Sequence, residues 1–142
     1  MKFKKYYWYI KSYILVKKLD NRMKKNGFKY IYDNYLSENS ISPPKLRDLS
    51  EKDMSFIEMI LEVVEKNCFH FFGNARCLHR SLVSYHIFRE KDIPIDLVIG
   101  IMKKPFTSHA WLEFNNQVIN DFPETIKDLR IQFHTREISK GI

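Results

Sequence analysis

The hydrophobic pattern of this chain changes its period at Pro94, and this change limits the possible folds more than any other feature. Before Pro94, apolar residues recur every three or four positions, which predicts helices. After Pro94 the pattern predicts strands, and Asn115-Asn116 between two of them is a strong hairpin signal. The predicted strands cover residues 95–102, 108–114, 117–122 and, as a last edge strand, 129–135. Helices followed by a small antiparallel sheet make an α+β fold.

The helical part is predicted in two groups separated by a polar connection at residues 37–48. The first group is an amphipathic helix over residues 3–25, stopped at Gly27, and a short helix over 28–36. In the second group, the spacing of Ser50 and Asp53 predicts a capped helix start near residue 51. Residues 69–73 should turn the chain, and Asn74 should cap a further helix that ends near residue 91. We expect one domain over residues 1–142, with a helical amino-terminal subdomain at 1–42 and a catalytic core at 50–142.

Helical spacing also predicts which side chains face the core. They are Tyr6, Tyr9, Ile10, Tyr13, Val16 and Met23 in the first helix, Met54, Ile57, Leu61 and Val64 in the helix after Ser50, and Leu78, Leu82 and Tyr85 in the helix after Asn74.

The composition is that of a globular protein with a substantial core, at 142 residues and 44% hydrophobic content. No apolar run approaches the roughly 20 residues that span a bilayer. The basic start is not expected to be a signal peptide, because Lys11 interrupts its apolar part and no small-residue cleavage site follows. Cys68 and Cys77 are expected to be reduced thiols in a cytoplasmic protein.

The net charge of +7 is concentrated at the amino terminus. Residues 1–25 contain nine Lys and Arg against one acid, Asp20, whereas the remainder contains 15 basic and 16 acidic residues. Such a segment can dock an acidic partner, touch an anionic membrane surface, bind nucleic acid or simply form a solvated helix face. Because the rest of the chain is nearly neutral, the core at residues 50–142 need not be basic.

Cys77 is the candidate nucleophile. A cysteine in the first turn of a helix feels the positive end of the helix dipole, which stabilises the thiolate, and Arg76 and Arg80 would act in the same direction. The backbone N–H of Cys77 can contribute to an oxyanion hole. Cys68 lacks this setting and is interpreted as a core residue, although an inert core thiol is also the alternative for Cys77 itself.

His109 is the candidate base. Alternation along its strand puts His109, Trp111 and Glu113 on one face, so Trp111 can shield the imidazole from water. His79 and His86 are interpreted as surface residues of a helix. Cys77, His79 and His109 could in principle bind a metal, but no Cys/His spacing matches a zinc motif, so we expect neither metal nor cofactor.

Asp121 is the candidate acid that orients the imidazole, with Asn120 as the alternative. A strict two-residue turn at Asn115-Asn116 would put Asp121 opposite Ala110, on the wrong face, and Asn120 on the face of His109. A three-residue loop or a bulge would bring Asp121 opposite His109, and Asp121 can also lie just past regular pairing.

With these residues in view, the chain resembles the transglutaminase-like cysteine peptidases known as the B proteins of lasso-peptide biosynthesis. The resemblance is carried by ARCLHRSLVSYHIFREKDIP and DLVIGIMKKPFTSHAWLEFNNQVIND, which together make about a third of the chain. It implies a transglutaminase-like or papain-like fold with amino-terminal helices packed on a small antiparallel sheet. It also implies that Cys77, His109 and Asp121 are the triad, and that the protein removes a leader peptide from a ribosomally made precursor.

The resemblance further implies the partners. These are the precursor leader peptide, a separate leader-recognition protein and a lasso cyclase, since the sequence looks like the stand-alone peptidase half of the family. The basic amino-terminal helix is a candidate docking surface for the recognition protein or the leader. No nucleic acid and no stable membrane insertion are expected. Asn67 and Asn74 are candidates for a second oxyanion donor.

Two other classes of function remain open at the level of the sequence. An acyl or glutamine transferase could use the same scaffold and would yield amine-capture products. A non-enzymatic basic module binding nucleic acid or membrane would lose affinity steeply with salt and would not need Cys77.

Overall fold

The computed structural model describes residues 2–31, 45–72, 77–103 and 106–138. Within these ranges, three long helices come first and strands follow, with one short helix before the last strand and one after it. The elements are α1 (Lys2–Ile31), α2 (Glu51–Phe72), α3 (Cys77–Glu90), β1 (Asp96–Lys103), β2 (Phe106–Phe114), β3 (Gln117–Val118), α4 (Pro123–Ile126), β4 (Arg130–His134) and α5 (Thr135–Ile138). The predicted α+β class is therefore confirmed. Within the described residues, no helix is long and apolar enough to cross a membrane.

Gly27 interrupts α1, as the sequence predicts. Its φ of 78° and ψ of 175° are not helical, and helical backbone resumes after it up to Ile31. Glycine adopts this left-handed φ without the steric cost that a Cβ would impose. The rest of the predicted second helix, residues 32–36, and the connection up to residue 44 lie outside the described residues.

The buried face of α1 differs in part from the predicted one. Trp8, Val16 and Leu19 are buried, together with the polar Ser12, whereas Tyr6, Ile10 and Tyr13 point to solvent. The prediction is confirmed for Val16, which is buried, and for Tyr9 and Met23, which pack against the core, but it was wrong for Tyr6, Ile10 and Tyr13. The reason is that α1 has large apolar residues on two of its faces, and periodicity alone does not decide which face is covered. Ser12 is accommodated because the Asn67 side-chain amide of α2 donates to its Oγ at 2.6 Å.

The start of α2 agrees with the capping-box prediction. The Asp53 N–H donates to Ser50 Oγ at 3.1 Å, and the Ser50 N–H donates to Asp53 Oδ2 at 3.0 Å. The end of α2 does not agree, because residues 69–72, predicted as a turn, continue the helix to Phe72. The buried residues of α2 are Ile57, Ile60, Val63, Val64, Asn67 and Cys68, while Met54, predicted to face the core, is exposed.

The strands form an antiparallel sheet with the order β3-β2-β1-β4. β4 is at an edge, as predicted, and a register shift between Ile99 and Gly100 interrupts its pairing with β1. One face of the sheet packs against α3 and continues into a single hydrophobic cluster with the helices. The sheet residues of this cluster are Leu97, Ile99, Ala110, Leu112 and Phe133. The opposite face therefore carries the side chains of His109 and Trp111.

Candidate active site

His109 and Asp121 form a direct side-chain contact. His109 Nε2 is hydrogen-bonded to Asp121 Oδ2, and the carboxylate is largely buried at 8% exposure. Asp121 lies beyond β3, in the bend that precedes α4. The hairpin of β2 and β3 thus brings His109 and Asp121, which are 12 positions apart, together at one edge of the sheet.

The geometry of the hairpin explains how Asp121 reaches His109. Phe114 pairs with Gln117, and Asn115 and Asn116 have φ values of 50° and 66°, so the turn contains two residues and no bulge. The expected change of register is absent. Instead, regular pairing ends at Val118, and Asp121 lies past it, which is the second route that the sequence left open.

Asn120, the alternative acid-position residue, has a different role. Its Oδ1 accepts the Leu112 N–H at 2.7 Å, and its Nδ2 donates to Ser81 Oγ at 3.0 Å. The Ser81 hydroxyl in turn donates to the Ala110 carbonyl at 3.2 Å. Asn120 therefore ties the loop after β3 to both β2 and α3, and leaves the contact with His109 to Asp121.

Arg80 is a member of the site that the sequence did not predict in this role. Its Nη2 donates to Asp121 Oδ2 at 3.1 Å, and its Nη1 donates to Glu65 Oε1 at 3.3 Å. Burial raises the pKa of Asp121, but the hydrogen bonds from His109 and the Phe122 N–H and the charges of His109 and Arg80 outweigh it. The pKa of Asp121 is therefore lowered, and the carboxylate is ionised at neutral pH.

Trp111 packs beside His109 on the outer face of β2, as predicted. The two rings are stacked with centroids 6.3 Å apart and planes 28° apart, and Trp111 is buried. Its indole N–H donates to Glu113 Oε2 at 2.7 Å, and Glu113 Oε1 is 3.3 Å from His134 Nε2. The pKa of Glu113 is lowered, chiefly by the hydrogen bond with His134 and, against the effect of burial, by that with Trp111.

Comparison with known proteins now identifies the family. Residues 33–133 match the family model described as the transglutaminase-like superfamily. The chain belongs to the transglutaminase-like superfamily. It is also 32% identical over 101 residues to the microcin J25-processing protein McjB of Escherichia coli, an alignment that covers 71% of this chain and 45% of the relative. No solved structure matches the chain.

These matches confirm the transglutaminase-like fold and the resemblance to the B proteins of lasso-peptide biosynthesis. The chain spans less than half the length of the curated relative. The match to the family model begins at residue 33. Helix α1, which ends at Ile31, therefore lies before the matched segment.

Cys77 is the first described residue of α3 in this transglutaminase-like domain, and its place in a first helical turn stays a prediction. Its side chain, and Asn74, lie outside what the structure describes. The next turn of α3 is fixed against the site, because Arg80 contacts Asp121 and Ser81 contacts Ala110 and Asn120. The backbone of Cys77 is therefore held close to the edge where His109 and Asp121 meet.

Cys68 and Asn67 are both poor candidates for the chemistry. Cys68 is fully buried, and this burial raises the pKa of its thiol to about 11, so the prediction of a core residue is confirmed. The Nδ2 group of Asn67 donates to the Tyr9 carbonyl at 2.9 Å and to Ser12 Oγ. Its two hydrogens are thus used within the helical core, and the suggestion that Asn67 is an oxyanion donor is wrong.

The remaining histidines of the helices differ from each other. His86 is half exposed and lies 3.2 Å from Glu90, as expected for a surface residue. His79 is buried, and its Nε2 is 3.2 Å from Asp20 Oδ1 of α1, so its assignment to the surface was wrong. Within the described ranges, no group of three or more His, Cys, Asp or Glu residues could hold a metal ion.

Proposed function

We propose that this protein is a cysteine peptidase that removes the leader peptide from a lasso-peptide precursor, with Cys77, His109 and Asp121 as its catalytic triad. The observation that carries the proposal is the contact between His109 and Asp121, which lies beside the helix that Cys77 begins. The similarity to a microcin-processing protein supports a peptide precursor as the substrate.

The proposed reaction uses Cys77 as the nucleophile. The thiolate sulfur attacks the carbonyl carbon at the end of the leader, and backbone N–H groups at the start of α3 stabilise the oxyanion. His109 gives its proton to the departing amine of the core peptide, so the C–N bond breaks and a thioester remains on Cys77. Water, activated by His109, then hydrolyses the thioester and releases the leader as a carboxylate.

The orientation of His109 suits this assignment. Its Nε2 faces Asp121, so its Nδ1 is the nitrogen that exchanges the proton with the thiol and the leaving amine. Asp121 fixes the tautomer and stabilises the imidazolium that forms. The lowered pKa of Asp121 keeps the carboxylate charged at neutral pH, as this role requires.

The peptidase acts in the cytoplasm, where both thiols stay reduced, and uses neither metal nor cofactor. A separate leader-recognition protein presents the precursor, and a cyclase closes the ring on the amine that cleavage exposes.

The test is cleavage of precursor peptide by the purified chain, with and without the recognition protein, followed by mass spectrometry. We expect Cys77→Ala and His109→Ala to lower the rate of leader release by roughly 10⁴-fold or more, because both groups act in the same step. Cys68→Ala is the matched control, since it removes the other thiol and should retain most of the activity. Iodoacetamide should modify Cys77 and spare the buried Cys68.

Two results would contradict the proposal. Full cleavage by Cys77→Ala would remove the nucleophile from the mechanism. Transfer of the leader to an added amine, in place of a free leader carboxylate, would assign the site to acyl transfer.

A further inference from the structure

The outward face of α1 carries a stripe of large apolar side chains. Phe3, Tyr7, Ile10 and Ile14 recur at intervals of three and four residues, with Tyr6 and Tyr13 beside them, and all six are between 38 and 90% exposed. At 1.5 Å per residue, the stripe is about 16 Å long. The core-facing residues Trp8, Ser12, Val16 and Leu19 lie on the other side of the helix. The stripe therefore lies outside the hydrophobic core, with ring–ring contacts only from Tyr7 to Trp8 and from Tyr13 to Phe71 among the described residues. Contiguous exposed apolar surface of this kind marks an interaction site.

The charged side chains of the helix segment that carries the stripe are all positive. The first 19 residues contain six lysines and no acid, so an approaching partner meets a strong cationic field. Lys5 and Lys11 contact Glu62 and Glu90 at 3.1 and 3.7 Å, whereas Lys17 and Lys18 are solvent-exposed. A second copy of the chain would bring the same positive charges into contact, and this repulsion disfavours self-association. The surface fits an acidic partner.

A cleft between α1 and α3 adds a concave feature to this surface. Its volume is about 220 Å³, and it is lined by Leu15, Leu19, Leu82 and Val83, with Lys18, Arg22 and His86 as its polar lining. Ile14 and Lys18 are one turn apart on α1, so the cleft adjoins the stripe. The volume is below the roughly 300–1,000 Å³ of small-molecule pockets but suits a single apolar side chain. Neither a lipid surface nor a nucleic acid presents such a side chain, so the cleft favours a polypeptide.

We propose that the stripe and the cleft together form the docking surface for an acidic polypeptide segment that carries an apolar anchor side chain. The anchor enters the cleft, neighbouring apolar side chains cover the stripe, and carboxylates of the segment meet Lys17 and Lys18. Along α3, His86 is about 13 Å from Cys77, so a docked polypeptide lies near the candidate nucleophile without occupying its position. The proposal concerns binding alone and does not depend on peptidase activity.

The experiment measures the binding of defined probes to the full chain by fluorescence anisotropy. The first probe is a labelled helical peptide of about five turns with leucines on one face and glutamates elsewhere, and the second replaces each leucine by serine. The third consists of phosphatidylcholine vesicles containing about one third phosphatidylglycerol. We expect the leucine peptide to bind at least about tenfold more tightly than the serine peptide, because only the first can fill the cleft.

Two double variants and a matched control locate the surface. Ile10→Gln with Ile14→Gln, and Lys17→Glu with Lys18→Glu, should each weaken binding of the leucine peptide by about tenfold or more. Lys45→Glu with Lys127→Glu changes the net charge by the same amount at exposed positions outside α1 and should change the affinity by less than about twofold. Circular dichroism checks that each variant is folded.

Three outcomes would overturn the proposal. Equal affinity for the leucine and serine peptides would show that binding depends on charge alone. An equal loss of affinity in the Lys45→Glu/Lys127→Glu control would show that the peptide is attracted by the net charge and not by the α1 surface. Vesicle binding that depends on Ile10 and Ile14, without peptide binding, would assign the face to a lipid surface.

Discussion

Arg80 connects three parts of the site through one guanidinium group. It extends from α3, one turn after Cys77, and donates to Glu65 of α2 and to Asp121 in the loop after β3. Arg80 contacts Asp121 Oδ2, the same carboxylate oxygen that is hydrogen-bonded to His109. Arg80 thus both positions Asp121 and supplies a positive charge that favours its ionised form.

Replacement of Arg80 by Gln should impair catalysis without removing a reacting group. A hydrogen bond to a charged group contributes about 1.5–3 kcal/mol, so we expect kcat/KM for leader release to fall by roughly ten- to a hundredfold. Loss of the positive charge raises the pKa of Asp121. The acid limb of the pH–rate profile should therefore move to higher pH.

Arg80→Lys and Glu65→Gln serve as comparisons. Lysine restores the charge but not the two-pronged geometry, so its rate should fall between those of the wild type and Arg80→Gln. Glu65 is more than half exposed, and its replacement should have the smaller effect. An unchanged rate and pH profile in Arg80→Gln would show that Arg80 does not act through Asp121.

For single residues of the site, a position could be predicted from the sequence where a local pattern determines it, and not where it depends on distant contacts. Alternation along β2 places His109 and Trp111 on one face, and the helix start places Cys77. The contact between Arg80 and Asp121 joins residues 41 positions apart, and no local pattern encodes it. The choice between Asn120 and Asp121 was also open, because it depends on where pairing stops after the turn.

At the scale of elements, the pairing of β1 with β2 determines the packing around His109. Gly100 is paired with His109, and a Cβ added to it would lie 2.8 Å from Trp111 Cη2 and 3.0 Å from Leu129 Cβ. The indole ring therefore occupies the space that any other residue at position 100 would need. Gly100 is required here for this close approach.

Gly100→Ala should accordingly destabilise the fold and disturb the site. Overpacking of this kind costs about 1–3 kcal/mol, and displacement of Trp111 should also lower the rate of leader release. The free energy of unfolding, measured in urea, gives the first effect, and the cleavage assay gives the second. In the double variant Gly100→Ala/Trp111→Phe, the smaller ring should relieve part of the clash, so the two changes should cost less together than their sum. Additive costs would contradict this account.

The elements themselves were predicted with uneven success, for identifiable reasons. The cap at Ser50, the stop at Gly27 and the hairpin turn are encoded by a few adjacent residues, and all three are present. The covered face of α1 is not encoded locally. It depends on which apolar side meets α2 and α3, and the other side is left as the exposed stripe.

For the molecule as a whole, buried carboxylates couple stability to pH. Glu113 is 11% exposed and bonded to His134 and Trp111, and its pKa lies below its ordinary value of 4.5. A lowered pKa means that the unfolded chain binds the proton more readily than the folded chain. The stabilisation from Glu113 is therefore complete above the ordinary pKa and is lost as the pH falls through the lowered one. Asp121 contributes with the same sign.

Glu113→Gln tests this coupling. At neutral pH, we expect the variant to be less stable than the wild type by about 1–3 kcal/mol, because a charge-assisted hydrogen bond within the sheet is weakened. The difference should shrink as the pH falls below the ordinary pKa of glutamate, where the wild-type carboxyl also becomes neutral. Urea unfolding over this pH range measures it, and a difference that is constant with pH would contradict the assignment.

The hydrogen bond between His79 and Asp20 joins α1 to the segment that matches the family model. Asp20 belongs to α1, which precedes the segment matched by the family, and Asp20 contacts His79 two residues after the start of α3. Excision of α1 would remove this carboxylate and uncover the apolar residues that Trp8, Val16 and Leu19 cover. The segment that matches the family model therefore lacks part of the hydrophobic core, and we expect residues 33–133 alone to be less stable than the whole chain.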